Sequence, residues 1–325
     1  MNKQVTPSTS QGESSATSRR VHEILVISGK GGTGKTSITA ALAVLEPGAV
    51  VADCDVDASD LDLVLSPNVL RTVEFYSGRG AVVRPDACTG CGVCHELCRF
   101  GAIVPPKTGD VSPFLVDSAM CEGCGVCVAF CPEKAIDFPE QHAGTWFVSD
   151  TRRGPMVHAR LGVAAENSGK LVSTVRIEAQ KLAKGTGLGL VLIDGPPGIG
   201  CPVIASLTGA SLALVVTEPT LSGLHDLKRV LSLAQHFGVA TMVAVNKWDL
   251  NEDMTNRIEK RAVESGAALA GRIRYDTSVT TAQNRGLSIV EMDSVAGEDV
   301  ARMWKQVRKY GSTLGVRFTP FEGSL

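Results

Sequence analysis

Residues 23–45 read EILVISGKGGTGKTSITAALAVL. An apolar, β-branched run from Glu23 to Ser28 feeds a glycine-rich loop, which feeds ITAALAVL, apolar at helical spacing. The loop satisfies G-x4-G-K-S/T with Gly29, Gly34, Lys35 and Thr36. Glycines at these positions let backbone N–H groups wrap a phosphate chain, a lysine reaches the β and γ phosphates, and a hydroxyl ligates Mg²⁺. Gly31, Gly32, Thr33 and Ser37 belong to the same cradle. Because the motif stands between a strand and a helix, as its chemistry requires, a nucleoside triphosphate with Mg²⁺ is the first expected ligand.

Working outward, VVADCDVD (Val50 to Asp57) and GLVLIDGPPG (Gly189 to Gly198) are apolar runs that end in acids or glycines. LALVVTEP from Leu212 and TMVAVNKWD from Thr241 repeat the pattern. With the first run these make five strand candidates separated by helical patterns. That alternation predicts an α/β protein with a doubly wound, mostly parallel sheet and helices on both faces. Such sheets bind ligands at the carboxyl ends of their strands, where Asp53, Asp55, Asp57 and Asp194 fall.

The chain has 325 residues, enough for about two domains, and a net charge of −2 that gives no support to non-specific nucleic-acid binding. No apolar run approaches the roughly 18 residues that a membrane span needs. Residues 1–20, MNKQVTPSTSQGESSATSRR, lack the apolar core of a secretory signal and are expected to be a disordered tail on a cytoplasmic protein.

Ten cysteines in such a chain point to metal ligation rather than disulfides. Cys88, Cys91, Cys94 and Cys98 form C-x2-C-x2-C-x3-C, and Cys121, Cys124, Cys127 and Cys131 repeat that spacing 33 residues later. CTGCGVCHELCRFGAI aligns with CEGCGVCVAFCPEKAI throughout, so the segment is an internal duplication. From near Val82 to near Glu140 it resembles a bacterial ferredoxin with two 4Fe-4S clusters. The resemblance implies that the fourth cysteine of each run serves the other cluster. Cluster one would take Cys88, Cys91, Cys94 and Cys131; cluster two would take Cys121, Cys124, Cys127 and Cys98. Gly90, Gly92, Gly123 and Gly125 keep the loops small. Cys131 is followed by Pro132, as in the family, but Cys98 by Arg99, a cation that could set the second potential apart. Two zinc sites remain the alternative use of eight thiolates. Cys54 and Cys201 lie outside both runs and read as small core residues.

Lys30, directly after the first glycine, makes the loop resemble the deviant one of the MinD/ParA/Mrp ATPases, a group catalogued with cobyrinic acid a,c-diamide synthases and related to the nitrogenase iron protein. This resemblance covers residues 21–78 and 145–310 approximately. It implies an ATP-dependent homodimer in which Lys30 reaches the partner's phosphates, and it makes Lys30, Lys35 and Asp55 the catalytic set. Asp55 would orient the attacking water, with Asp53 or Asp57 assisting. Thr36, Asp55 and Asp194 would serve Mg²⁺, Gly198 would sense the γ-phosphate through its N–H, and Asn246 would contact the base. NKWD also looks like the guanine-reading NKxD, which keeps GTP open as an alternative. Tyr275 and Asp276 fall in the stretch that resembles the group's adenine loop.

The expected organisation is therefore a tail at 1–20, an ATPase domain at 21–78 and 143–312, a ferredoxin domain inserted at 79–142, and a C-terminal tail at 313–325. Gly154 to Arg176, with His158, Arg160, Glu166, Asn167, Ser168 and Lys170, reads either as a partner- or cluster-facing loop or as a polar hairpin and connection. MWKQVRKYG (Met303 to Gly311) reads as a packed final helix rather than a membrane-surface one. The function expected is a nucleotide-dependent homodimer that gates electron transfer through two clusters to a protein partner, without nucleic acid or membrane. The alternatives are a Mrp-like iron–sulfur cluster carrier or scaffold and a positioning ATPase with a redox-sensing insert.

Overall fold

A computed structural model describes residues 20–57, 60–106, 113–162 and 168–319. The chain begins with β1 (His22–Ser28), α1 (Lys35–Leu45), β2 (Ala49–Asp53), α2 (Leu61–Leu65) and the long β3 (Asn68–Arg79). The cysteine repeat follows as β4 (Val82–Val83), α3 (Val93–Leu97), β5 (Ile103–Val104), β6 (Leu115–Val116), α4 (Val126–Ala129) and β7 (Ile136–Asp137). The chain then returns through β8 (Glu140–Thr151), β9 (Gly154–Leu161), α5 (Ser168–Thr186), β10 (Leu190–Pro197), α6 (Cys201–Leu207), β11 (Leu212–Thr217) and α7 (Leu221–His236). It closes with β12 (Thr241–Asn246), α8 (Glu252–Glu264), β13 (Ala268–Ile273), α9 (Ser278–Asn284) and α10 (Val295–Thr313).

Nine strands form one sheet in the order β13-β12-β11-β1-β10-β2-β9-β8-β3. Those from β13 to β9 run parallel, while β8 is antiparallel to both β9 and β3. Every residue of β1, β2 and β11 is buried, which explains their unbroken apolar runs: a parallel strand covered on both faces has no water-facing side to alternate. Helices α5, α7 and α8 cover one face, with Leu171, Val175, Leu227, Val230 and Ile258 in its core. Helices α1, α2 and α10 cover the other, with Ile38, Leu42, Leu61, Val300 and Trp304. The helix from Val295 is thus a packed one: Trp304 is 1% exposed, and Phe318 beyond the helix meets it edge to face at 5.7 Å between ring centroids.

The sheet holds two parallel strands beyond the five read from the sequence, β9 and β13, and a pair of antiparallel ones, β8 and β3. The described residues of Gly154 to Arg176 are consequently a strand and a helix rather than a partner- or cluster-facing loop. The first half is β9, the second strand of a hairpin with β8, and Ser168 and Lys170 open α5. His158 is buried, with its Nε2 2.8 Å from Ser149 Oγ on β8. Glu166 and Asn167 lie outside the described residues, as does nearly all of the N-terminal tail.

The cysteine repeat hangs between β3 and β8, which pair from Asn68↔Asp150 to Arg79↔Glu140. Leu161, the last residue of β9, stands opposite Gly144, so residues 140–143 of β8 and their β3 partners overshoot β9 at its carboxyl end. That is the edge of the sheet at which β1 delivers the glycine loop. The inserted segment has its own small core of Ala81, Cys94, Ile103, Phe114 and Ile136.

Candidate functional site

The glycine loop leaves β1 between its neighbours β10 and β11, where the strand order reverses and an open sheet leaves a crevice. Gly32 (φ +78°) and Gly34 (φ +87°) take left-handed backbone, and a Cβ on Gly34 would collide with the Asn246 side-chain amide, whose Nδ2 donates to Thr33 O at 2.8 Å. A Cβ on Gly29 would lie 2.5 Å from Asp226 Cβ on α7. The loop is therefore pressed against α7 at Gly29 and against β12 at Gly34, and neither position has room for a side chain.

Lys35 bridges two carboxylates, Asp194 Oδ1 at 2.9 Å and Asp55 Oδ2 at 3.2 Å. Burial alone would lower its pKa, but the charges of Asp194 and Asp55 outweigh that and hold it above the ordinary lysine value. Burial also raises the pKa of Asp55, and Lys35 offsets that only in part. Asp194 is 1% exposed and accepts from Thr36 Oγ1 and Thr39 Oγ1, each at 2.8 Å. Asp53 is buried, and its Oδ1 accepts from Asp55 N at 3.1 Å, whereas Asp57 is exposed. Gly198 (φ +94°) donates its N–H to Ser28 O at 2.9 Å, which brings the end of β10 onto the start of the loop.

Lys30 lies in this chain against Glu218 Oε1 at 2.6 Å and donates to Ser222 Oγ at 2.9 Å. Glu218 also meets Lys247 at 3.4 Å, and Lys247 Nζ donates to Gly32 O at 3.2 Å. Burial raises the Glu218 pKa, but Lys30 and Lys247 together bring it below the ordinary glutamate value. Sequence reasoning missed Thr39, Glu218, Ser222 and Lys247. Thr39 had a signal, four residues after Lys35 on one helix face; Glu218 had none beyond lying at a strand end.

The groups present fit a Mg²⁺–triphosphate. The Thr33 hydroxyl is buried in the loop and has no hydrogen-bond partner among the described residues, while the Thr36 hydroxyl and the Asp194 carboxylate stand side by side beneath it. Adjoining the loop is a cavity of about 240 Å³, lined by Gly34, Ile38, Asn246, Tyr275, Asp276 and Val279 among others. Asp276 accepts from Ser278 N at 2.8 Å, and that bond holds its pKa below the ordinary aspartate value. Asp249, the acid of NKWD, accepts the backbone N–H of Tyr275 at 2.7 Å and does not line the cavity. The one carboxylate that the guanine reading requires is thus committed to holding a loop.

Two further concavities lie in the inserted segment. One is lined by Cys88, Cys91, Cys94 and Cys131, the other by Cys98, Cys121, Cys124 and Cys127. The fourth cysteine of each run has crossed to the opposite pocket, the exchange that the resemblance implied. Gly90, Gly92, Gly123 and Gly125 all have positive φ, which keeps the cysteine loops tight, and Ala135 N donates to Cys131 Sγ at 3.3 Å. Burial raises the thiol pKa of Cys94 and of Cys127. Among the described residues no three side chains converge on a single metal ion, as mononuclear sites with Zn–S near 2.3 Å demand. Each of the two pockets gathers four cysteines, which is the number of thiolates a 4Fe-4S cluster takes. Cys54 is fully buried as expected, but Cys201 is exposed, which corrects its reading as a core residue.

The family model described as the CobQ/CobB/MinD/ParA nucleotide binding domain matches residues 24–289. The chain belongs to the CobQ/CobB/MinD/ParA family. Members of the MinD/ParA type are P-loop ATPases, and this chain carries the same α/β fold with its large, mostly parallel sheet. The MinD septum site-determining protein of Pyrococcus horikoshii, solved with Mg-ADP, superposes with a TM-score of 0.51 at 18% identity, over 91% of this chain and 99% of that one. An uncharacterised protein of Methanocaldococcus jannaschii is 35% identical over 234 residues, 71% of this chain and 80% of its own length. An iron-sulfur cluster carrier protein of the same organism is 22% identical over 88% of this chain and 83% of its own length.

Proposed function

We propose that this family member is an ATPase whose nucleotide state governs electron transfer through two 4Fe-4S clusters to a protein partner. The observation that carries the reading is the pair of four-cysteine pockets, with their fourth ligands exchanged, at the edge of the sheet that holds the glycine loop. Bound clusters would supply one-electron transfer at a potential set by charge, hydrogen bonds and exposure.

The remaining roles belong to the chain's own groups. The amides of Gly29–Ser37 and the Lys35 ammonium bind the phosphates, which displaces Lys35 from Asp55 and Asp194. Thr36 and Asp194, hydrogen-bonded side by side, would hold Mg²⁺, with Asp55 near them. Asp55, freed from Lys35, orients the water, and the Gly198 N–H turns from Ser28 O toward the γ-phosphate. Lys30 leaves Glu218 for the phosphates of a second copy, where its charge stabilises the transferring group as an arginine finger does. Asn246 contacts the base.

The test is anaerobic. Purified protein should hold about eight irons, and a redox titration should shift when a non-hydrolysable ATP analogue is added in wild type but not in Lys35→Ala. Zinc in place of iron, or titrations that superpose with and without the analogue, would overturn the reading. The exposed sulfurs of Cys91 and Cys124, with the similarity to a cluster carrier, favour a second reading in which the chain hands clusters on. Transfer of iron to an apo-ferredoxin during turnover would select it; clusters that stay bound while electrons move would select the first.

A further inference from the structure

The duplication provides an internal control. Gly90 in Cys88–Cys91 and Gly123 in Cys121–Cys124 hold the same position in the two copies and take the same left-handed backbone, φ +73° and +61°. Their surroundings differ. A Cβ on Gly90 would meet nothing within 4 Å, whereas one on Gly123 would collide with the carbonyl oxygen of Arg79, the last residue of β3. The Arg79 guanidinium also sits 6.0 Å from the Phe138 ring centroid, and Phe138 lines the Cys98/Cys121/Cys124/Cys127 pocket but not the other. One copy of the loop is seated on the β3–β8 arm; the other is free of it.

Hydrogen bonds connect that seat to the nucleotide site. Leu161 N donates to Val56 O, one residue beyond Asp55, at 3.4 Å. Gly162 N donates to Ala143 O on β8 at 2.9 Å, and a Cβ on Gly144 would lie 2.5 Å from Arg160 O. From Ala143 the arm runs through Gln141, which leaves no room for a side chain at Gly80, to the Gly80 N–Pro139 O bond at 3.1 Å. Movement of Asp55 and Val56 on phosphate binding has a backbone route to Arg79, and from there to Gly123.

We infer that the nucleotide state is read at the Cys121–Gly125 loop and not at its twin, Cys88–Gly92, through the contact between Gly123 and the Arg79 carbonyl. The inference rests on the gating reading above and names which pocket that gating acts on. The two pockets are then inequivalent: the one seated on the arm responds to nucleotide, and the distal one keeps its properties.

Hydrogen exchange on the anaerobically purified full chain tests this, with and without a non-hydrolysable ATP analogue and Mg²⁺. The expected result is a change of about fivefold or more in exchange at 121–125 and none at 88–92. Gly123→Ala and Gly90→Ala bear the same positive-φ strain, so they form a matched pair. Gly123→Ala should abolish the difference at 121–125 while retaining analogue binding, and Gly90→Ala should leave it intact. Equal responses in the two loops, a response at 88–92 alone, or an unchanged response in Gly123→Ala would overturn the inference and leave gating standing. No response in either loop while the analogue binds would overturn both. The wild-type comparison needs no variant, so a Gly123→Ala chain that fails to fold does not shield the claim.

Discussion

Lys35→Met removes the cation between two buried carboxylates while keeping most of the side-chain volume. Asp55 Oδ2 and Asp194 Oδ1 lie 3.2 and 2.9 Å from Lys35 Nζ, so they are no more than about 6 Å apart. At that separation, with an effective dielectric near 20, two unit charges repel by about 3 kcal/mol. Asp55 already sits above the ordinary aspartate value because burial outweighs Lys35, and without Lys35 it must rise further. The sign follows from linkage. The unfolded chain gives up the Asp55 proton near pH 4, the folded variant only well above that, so the variant loses stability as pH climbs between the two values. Urea unfolding of wild type and Lys35→Met at pH 5 and pH 8 should show a deficit of about 2–4 kcal/mol at pH 8 that shrinks markedly at pH 5. A deficit of equal size at both pH values would show that the carboxylates do not depend on Lys35, and the geometry at the heart of the site would be wrong.

Glu291, held by Arg152 and Arg153 of the β8–β9 turn, has its pKa lowered from 4.5 to about 2 chiefly by the Arg152 hydrogen bonds. The associated stability, about 1–2 kcal/mol after allowance for solvent around the arginines, is present above pH 4.5 and should vanish as pH falls toward 2. Glu291→Gln should remove that acid limb from a pH–stability profile, and an unchanged limb would refute the assignment. Because Asp249 is bound to Tyr275 N, ATP should bind at least about tenfold more tightly than GTP, and Asp249→Ala should leave that ratio within about twofold. A GTP affinity that collapses in this variant would restore the guanine reading. Cys98→Ser, in the proposed cluster-two set, should lower iron from about eight per chain toward four; loss of all iron or none would refute the exchanged pairing.

The glycine loop, Asp194 and the doubly wound core were legible because each is encoded locally. A buried parallel strand is an apolar run, and a phosphate cradle is a string of glycines around a lysine. The outer sheet was not. In β3 most residues are exposed and only Val73 and Phe75 pack inward, too short an alternation to mark a 12-residue strand, whose status depends on β8, about 70 residues away in sequence. β9 was obscured for the converse reason: its polar His158 is buried, satisfied by Ser149 from the neighbouring strand. Lys30 stood out in the sequence by its place after the first glycine, but its cis partner Glu218 is 188 residues away and no spacing rule links them. NKWD shows the limit of a motif: the string is compatible with guanine recognition, and only the Tyr275 N–H, from a loop 26 residues on, shows what Asp249 holds.

The site of insertion has physical consequences of its own. Arg79 and Glu140 are paired neighbours, and Gly80 N bonds Pro139 O at 3.1 Å, so a module whose ends lie close together can be spliced there without opening the sheet. A glycine–serine tether would also have joined the segments, but it would have absorbed any displacement of the nucleotide site as coil entropy. A hydrogen-bonded ribbon continuous with the sheet has far fewer conformations than such a tether, even with the register irregularities that interrupt it near Arg71, Tyr76 and Arg79. β3 is itself the 12-residue edge strand of the sheet, and Arg71, Glu74 and Arg79 along it disfavour pairing with another chain. Under the gating proposal this arm, hydrogen-bonded to Val56 beside Asp55 through Leu161, is the element that would carry a displacement outward, and the nucleotide-dependent response would fall in the loop at its tip.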